Sequence, residues 1–402
     1  MSDFYQSGEI TTLHKLGTPS LEALEKELQR YSRTRPIALV LPTIYMELEG
    51  KALPSILQEI AKVKYIKQVV VTLGGFTEDQ FKKAKEFFSA LPQEVRLIWN
   101  SGERIKKLYY FLDSEGISAG PDGKGRSTWM AYGYILATDK CKFIVLHDCD
   151  ILTYNREFLA RLCYPVVNPN LDFEFCKGYY SRISDRMYGR VTRLFVTPLI
   201  RALKQLLGNL DFLDYLDSFR YSLAGEFSMA VDLARINRIP GDWGLEIGVL
   251  AEVYKNCSKR RICQVDLTDV YDHKHQNLSS EDPSTGIMKM SIDISKVLFR
   301  TLAGTGATFP EGFFRTLRAT YLRTAQHFID KYNHDSTING LFFDRHQETK
   351  AVEAFTKAIS IAGEQFLEDP TGLPLIPNWN RITSAIPNFF DMLIEAVEED
   401  NK

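Results

Sequence analysis

The chain has 402 residues, 45% of them hydrophobic and 12% aromatic, which excludes a single small domain and supplies ample apolar material for a packed core. A formal net charge of -2 excludes a general attraction to nucleic acid or anionic lipid, so any phosphate binding has to be local. Six scattered cysteines without a C-x-x-C pair, no 18-residue apolar stretch and no basic-then-apolar N-terminus point to a soluble, cytoplasmic protein with reduced thiols.

Residues 1–17 carry no usable period and read as an arm. Thr18-Pro19 opens a helix, a capping residue followed by proline, and Leu21, Leu24 and Leu28 give it an apolar stripe to about Tyr31. The continuous apolar run from Ile37 to Leu41, closed by Pro42, fits a strand buried on both faces of a parallel sheet. The turn from Pro42 to Gly50 leads into a helix over about 51–62. A carboxylate in this turn can hold a base or ribose, or can serve the helix dipole. The next cycle is a strand from Ile66 to Thr72, a Gly74-Gly75 turn and a helix opened by Thr77 with Gln80 three residues on, a capping-box spacing. Gly74-Gly75 is too short for a dinucleotide fingerprint, and the chain contains no G-x-x-x-x-G-K-[ST] loop, which weighs against kinase-type and dehydrogenase readings. A third cycle runs through the strand Arg96–Trp99 and a helix near Glu103 to Leu112.

The stretch from Gly120 to Asp150 organises the rest. A glycine-broken basic loop with Gly123-Lys124-Gly125 precedes an apolar helix and a buried strand, Phe143 to Leu146, which ends in Asp148 and Asp150. Alternation along extended chain points both carboxylates the same way and Cys149 the other. Ligands bind at that end of an open α/β sheet, and two hard oxygens beside a lysine loop suit a divalent cation carrying a diphosphate. D-x-D alone is equally compatible with a solvated strand end.

Beyond Asp150, Phe173, Phe175 and Tyr179 alternate with Glu174 and Lys177 in a longer strand. Arg182, Arg186, Arg190 and Arg193 follow. Gly189-Arg190-Val191-Thr192-Arg193 leads into a helix near Leu194, where a glycine backbone, a guanidinium and a hydroxyl suit a phosphate or carboxylate; solvated arginines are the alternative. Glu226 lies in an apolar segment, and Asp242 and Glu246 lie in a glycine-rich turn; ligand contact or, for Asp242, N-capping would justify them. Residues 262–270 read as a strand running into His273 and His275, imidazoles that face the same way and can complete a shell begun by carboxylates. The remainder is helical, near 286–302, 311–332, 348–367 and 382–397, as in a helical subdomain or a dimer surface.

Seven blocks in this order, LVLPTIYMELEG ending at Gly50, GKG at 123–125, DCD at 148–150, GRVTR at 189–193, LAGEF at 223–227, GDWGLEIGVL at 241–250 and YDHKHQ at 271–276, resemble the glucosyl-3-phosphoglycerate synthases, retaining glycosyltransferases of family 81, with mannosyl-3-phosphoglycerate synthases more distant. The resemblance implies an α/β GT-A fold, a Rossmann-like mixed sheet flanked by helices with a C-terminal helical subdomain. It divides the chain into an arm and helix (1–33), a nucleotide-sugar-binding part (34–150), an acceptor-binding part (151–280) and a helical region (281–402). It implies UDP-glucose as donor and 3-phosphoglycerate as acceptor, Mg2+ or Mn2+ as cofactor, no nucleic-acid or membrane partner, and a homodimer. The implied donor contacts are Pro42, Glu47, Gly74, Lys124, Asp148 and Glu246; the acceptor contacts are Gly189, Arg190, Thr192 and His275; the metal ligands are Asp150 and His273. Glu246, Asp150 and Lys124 would carry catalysis. Tyr45-Met46-Glu47 replaces the Asn-Glu-Glu type of donor turn, and His275 stands where some relatives have asparagine, so GDP-mannose as donor and free glycerate as acceptor stay open. A sugar nucleotidyltransferase is the alternative from another class, although Pro42 to Gly50 lacks the lysine or arginine such enzymes carry after the first strand.

Overall fold

Short apolar runs separated by amphipathic helices produce a layered α/β arrangement. The computed structural model describes residues 6, 8–17, 20–241, 244–272, 282 and 285–402. Among these residues, one eight-stranded sheet comprises β1 (Thr11–Leu13), β2 (Ile37–Ile44), β3 (Ile66–Gly74), β4 (Glu94–Trp99), β5 (Phe143–Leu146), β6 (Phe175–Tyr180), β7 (Phe227–Ala230) and β8 (Ile262–Thr268) in the order β1-β8-β6-β7-β5-β2-β3-β4. β7 runs antiparallel to both of its neighbours, and the other pairings are parallel. The chain builds β2, β3 and β4 outward in one direction, then returns to lay β5 on the other side of β2. The order therefore reverses between the C-terminal ends of β2 and β5, the position where an open α/β sheet leaves a crevice.

Each face of the sheet carries its own core. The helices Leu21–Tyr31, Ala52–Ile60, Glu78–Phe88 and Arg156–Val167 cover one face. The helix Lys124–Thr138, the helices Thr197–Leu207 and Leu245–Asn256, and the C-terminal helices share the other. Trp129 from the central helix stacks on Trp379 at 4.1 Å and donates its indole N–H to the Pro377 carbonyl at 2.8 Å. Among the described residues no helix is long and apolar enough to cross a membrane.

The capping box at Thr77 is present, with Thr77 N–H donating to Gln80 Oε1 at 2.9 Å. Other expectations need correction. Residues 11–13 belong to the sheet as an edge strand on β8, a pairing too short and too distant in sequence to leave a local period. Ser20 caps the first helix by accepting the Ala23 N–H, while Thr18 and Pro19 lie outside the described residues. β2 continues through Pro42 to Ile44; pairing with β5 has ended at Val40, so a residue without an N–H is tolerated there. β6 is buried along its whole length because β7 and β8 flank it and both faces are covered, so its polar residues do not point to solvent. The helix expected near Leu194 begins at Val191 with a wide turn, in which the Thr197 N–H reaches the Thr192 carbonyl five residues back.

The C-terminal helix Phe389–Asn401 closes the β4 edge. Leu97 donates its N–H to Asn401 Oδ1 at 3.0 Å, and Asn401 Nδ2 donates to the Leu97 carbonyl at 2.8 Å, so one side-chain amide imitates a neighbouring strand. Arg96–Glu398 at 2.8 Å and Arg104–Asp400 at 2.7 Å flank this contact. Asn401→Ala leaves both Leu97 groups without these partners, and chemical denaturation should show a loss of about 1–3 kcal/mol.

Candidate active site

The strand β5 stops at Leu146, and burial alternates over the next four residues, with His147 and Cys149 buried and Asp148 and Asp150 half-buried. Cys149 is buried, with its Sγ 3.3 Å from Thr43 Oγ1. His147 is buried against Tyr154 and Phe158; burial pushes it down to about 4, so the ring is neutral, and its Nδ1 lies 2.9 Å from the Asp148 carbonyl. These inward side chains fix the strand end from which the two aspartates project.

Lys124 meets the aspartates from the start of its helix. Its Nζ donates to Asp148 Oδ1 at 2.7 Å and to Glu246 Oε1 at 3.3 Å. Gly125 makes this possible, because a Cβ there would lie 2.1 Å from the Pro240 carbonyl. With hydrogen instead, the Pro240-Gly241 turn rests on the helix start, and Glu246, in the first turn of the helix Leu245–Asn256, comes within reach of Lys124. Loss of solvation opposes the Lys124 ammonium, but Asp148 and Glu246 outweigh it and hold the group well above its ordinary value.

Further carboxylates converge here. Glu47 accepts the Ile44 N–H at 2.9 Å; burial, with the charges of Asp150 and Asp148, pushes it up to about 8. Burial and Asp148 push Asp150 up to about 6, against the pull of Lys124 and Arg182. Glu226 is fully buried and accepts the hydroxyls of Tyr180 and Tyr271, each at 2.8 Å; burial raises it to about 7. Pro42 and Gly74 stand at the C-terminal ends of β2 and β3, Gly74 in register with Ile44. Lys124, Asp148 and Glu246 are thus in contact, and Asp150 and Glu47 lie within reach of their charges.

The GRVTR segment is linked to this group through Arg182. Gly189 takes a left-handed backbone, φ 71°, beside Tyr221, whose hydroxyl accepts from Arg182 Nη1 at 3.0 Å. Arg190 is not a purely solvated arginine, since its Nε and Nη2 contact Glu348 Oε1 at 3.0 and 2.9 Å. Thr192 Oγ1 is buried with no hydrogen-bond partner among the described residues. His273, His275 and Asp242 lie outside the described residues. Asp272, the residue before His273 in sequence, accepts the Leu152 N–H at 2.8 Å and has its N–H 3.2 Å from Thr153 Oγ1, just after Asp150. Among the described residues no group of three or more His, Cys, Asp or Glu forms a metal cage; a pair of aspartates nevertheless suits Mg2+, which takes one or two carboxylates and fills its shell from phosphate and water.

One charged group escaped the sequence reading. Lys177 is fully buried on β6, its ammonium without a hydrogen-bond partner among the described residues and 5.4 Å from the Phe227 ring. The period of two that places Phe175 and Tyr179 together places Lys177 with them, so the signal was present. Burial lowers Lys177 to about 8, while Glu246 and Glu226 pull it upward.

A mixed sheet with one reversed strand beside β5, carrying an Asp-x-Asp tip, a lysine at a helix start and convergent carboxylates, defines a glycosyltransferase of the GT-A class. Crystal structures of the Mycobacterium tuberculosis glucosyl-3-phosphoglycerate synthase share this fold. The complex with phosphoglyceric acid superposes with a TM-score of 0.53 at 20% identity, covering 75% of this chain and 89% of that one. The complex with Mg2+ and uridine-diphosphate gives 0.53 over 75% and 88%. No family model matches the chain. A glucosyl-3-phosphoglycerate synthase of Persephonella marina is 52% identical over 401 residues, 100% of this chain and 99% of the relative. One of Methanococcoides burtonii is 40% identical over 405 residues, 100% and 98%. The chain belongs to the glucosyl-3-phosphoglycerate synthase family.

Lys177→Met tests whether the buried ammonium is kept for function. Its depressed value corresponds to a burial cost on the order of 3 kcal/mol, so thermal unfolding should show unchanged or raised stability, while transferase turnover falls by about tenfold or more.

Proposed function

We propose that the protein transfers glucose from UDP-glucose to 3-phosphoglycerate with retention of configuration, dependent on Mg2+ or Mn2+, yielding glucosyl-3-phosphoglycerate for synthesis of the compatible solute glucosylglycerate. The observation that carries this reading is the Lys124 ammonium, fixed between Asp148 and Glu246 at the strand tip, where a departing diphosphate needs positive charge. The reading divides the work between residues 34–150 for the donor and 151–280 for the acceptor.

In this assignment Pro42, Glu47 and Gly74 contact the nucleoside and Asp148 the ribose. Glu246 accepts hydrogen bonds from the glucosyl hydroxyls. Asp150 and His273 would hold the divalent ion, which would supply Lewis-acid stabilisation of the diphosphate. Gly189, Arg190 and Thr192 take the acceptor phosphate, and His275 is a further acceptor contact. Glu226 has both oxygens committed to tyrosine hydroxyls, so it shapes the site rather than attacking the sugar. The acceptor hydroxyl then attacks from the face that UDP leaves: the bond from C1 to the diphosphate breaks, the bond from C1 to the acceptor oxygen forms, and the acceptor proton passes to the departing phosphate oxygen.

Incubation with UDP-glucose, Mg2+ and 3-phosphoglycerate should release UDP and give a product with the mass of glucosyl-3-phosphoglycerate. Absence of nucleotide release above the no-acceptor control with every donor tested, or pyrophosphate release from UTP plus a sugar phosphate, overturns the proposal.

Metal affinity should depend on pH. Asp150 holds its proton up to about 6, so protons compete with the ion below that value. The raised value also means that this group favours the folded apo protein below its unfolded value, a contribution lost as pH rises through about 6. Calorimetric titration with Mn2+ should therefore show tighter binding at about pH 7.5 than at about pH 5, and Asp150→Asn should remove most of the binding at both.

A further inference from the structure

We propose that Glu348, on the helix Arg345–Glu368, positions Arg190 to receive the phosphate of the acceptor. The inference rests on the acceptor assignment made above. Glu348 is 5% exposed and uses both carboxylate oxygens. Oε1 accepts from Nε of Arg190 at 3.0 Å and lies 2.9 Å from its Nη2, and Oε2 accepts from Nη2 of Arg193 at 3.1 Å. One carboxylate thus clamps two guanidiniums that lie three residues apart, and leaves a net positive charge in place. A buried carboxylate is costly unless paired in this way, and an ordinary surface bridge needs neither the burial nor the second arginine.

The two arginines are not equivalent. Arg193 also donates from Nε to the Tyr188 carbonyl at 2.9 Å and from Nη2 to the Met187 carbonyl at 3.2 Å, lies over the Tyr332 ring, and keeps only 12% of its side chain exposed. Among the described residues Arg190 is held along its Nε edge, and its side chain is 30% exposed. A guanidinium has five N–H groups in a rigid fork, so the Nη1 side of Arg190 is left to meet an anion bidentately. The wide turn over Val191–Val196, a distortion that recurs at functional sites, begins immediately after Arg190 and contains Arg193 and Thr192, whose buried hydroxyl has no hydrogen-bond partner among the described residues. Glu348 therefore acts on the substrate through Arg190, as a positioning residue contributed by a helix outside the sheet.

The test uses the full-length protein with UDP-glucose and Mn2+ while 3-phosphoglycerate is varied. Glu348→Ala should raise the KM for 3-phosphoglycerate about tenfold and leave the KM for UDP-glucose within about twofold. Arg190→Ala should do the same, and the double variant should be no worse than Arg190→Ala alone. Glu348→Asp should recover part of the loss. An unchanged or lowered acceptor KM, equal losses for donor and acceptor, or additive effects in the double variant overturn the inference. Should Glu348→Ala fail to fold, Glu348→Gln carries the same comparison. Calorimetric titration of 3-phosphoglycerate separates this inference from the transfer reading: binding that weakens in the Glu348 variants without any wild-type turnover sinks the transfer reading alone, and an absence of wild-type binding sinks the positioning role.

Discussion

The contact of Lys124 with Asp148 and Glu246 is the constraint around which the rest is arranged. It joins three segments far apart in sequence: the start of the central helix, the tip of β5 and the first turn of the helix Leu245–Asn256. Each needs its own support. Gly125 admits the Pro240-Gly241 turn, the buried His147 and Cys149 fix the strand tip, and the stack of Trp129 on Trp379 anchors the central helix from behind. An ammonium between two carboxylates, beside a further carboxylate held up to about 6, is an expensive arrangement in a partly desolvated crevice. Such an arrangement makes sense where a highly charged ligand completes it.

Much of this was legible from local pattern. Unbroken apolar runs identified β2, β3 and β5 because strands buried on both faces of a parallel sheet have no solvent side to encode. The capping box at Thr77 needs only neighbours three residues apart, and alternation at 148–150 separated Cys149 from the two aspartates. What escaped depends on distant partners. The pairing of β1 with β8 spans some 250 residues, and the clamp on Arg190 comes from Glu348, 158 positions later. Nothing near Arg190 in the chain announces a carboxylate from a distant helix.

The C-terminal helices illustrate the same limit. Their apolar stripes were compatible with a separate subdomain or with an oligomer surface. In the structure these stripes fill one core together with the helix Lys124–Thr138 and the segment after Val191, and Glu348 extends from these helices to Arg190. Stripes record that a face is covered, and leave open what covers it.

The amide of Asn401 seals β4 from 304 positions downstream. During synthesis at roughly 5–20 residues per second, a nascent chain whose first four strands have emerged carries an open sheet margin for roughly 15–60 seconds before its seal leaves the ribosome. Over that interval the unsealed strand offers unpaired backbone groups to any passing extended segment, so the exposure to misassembly lasts through most of translation.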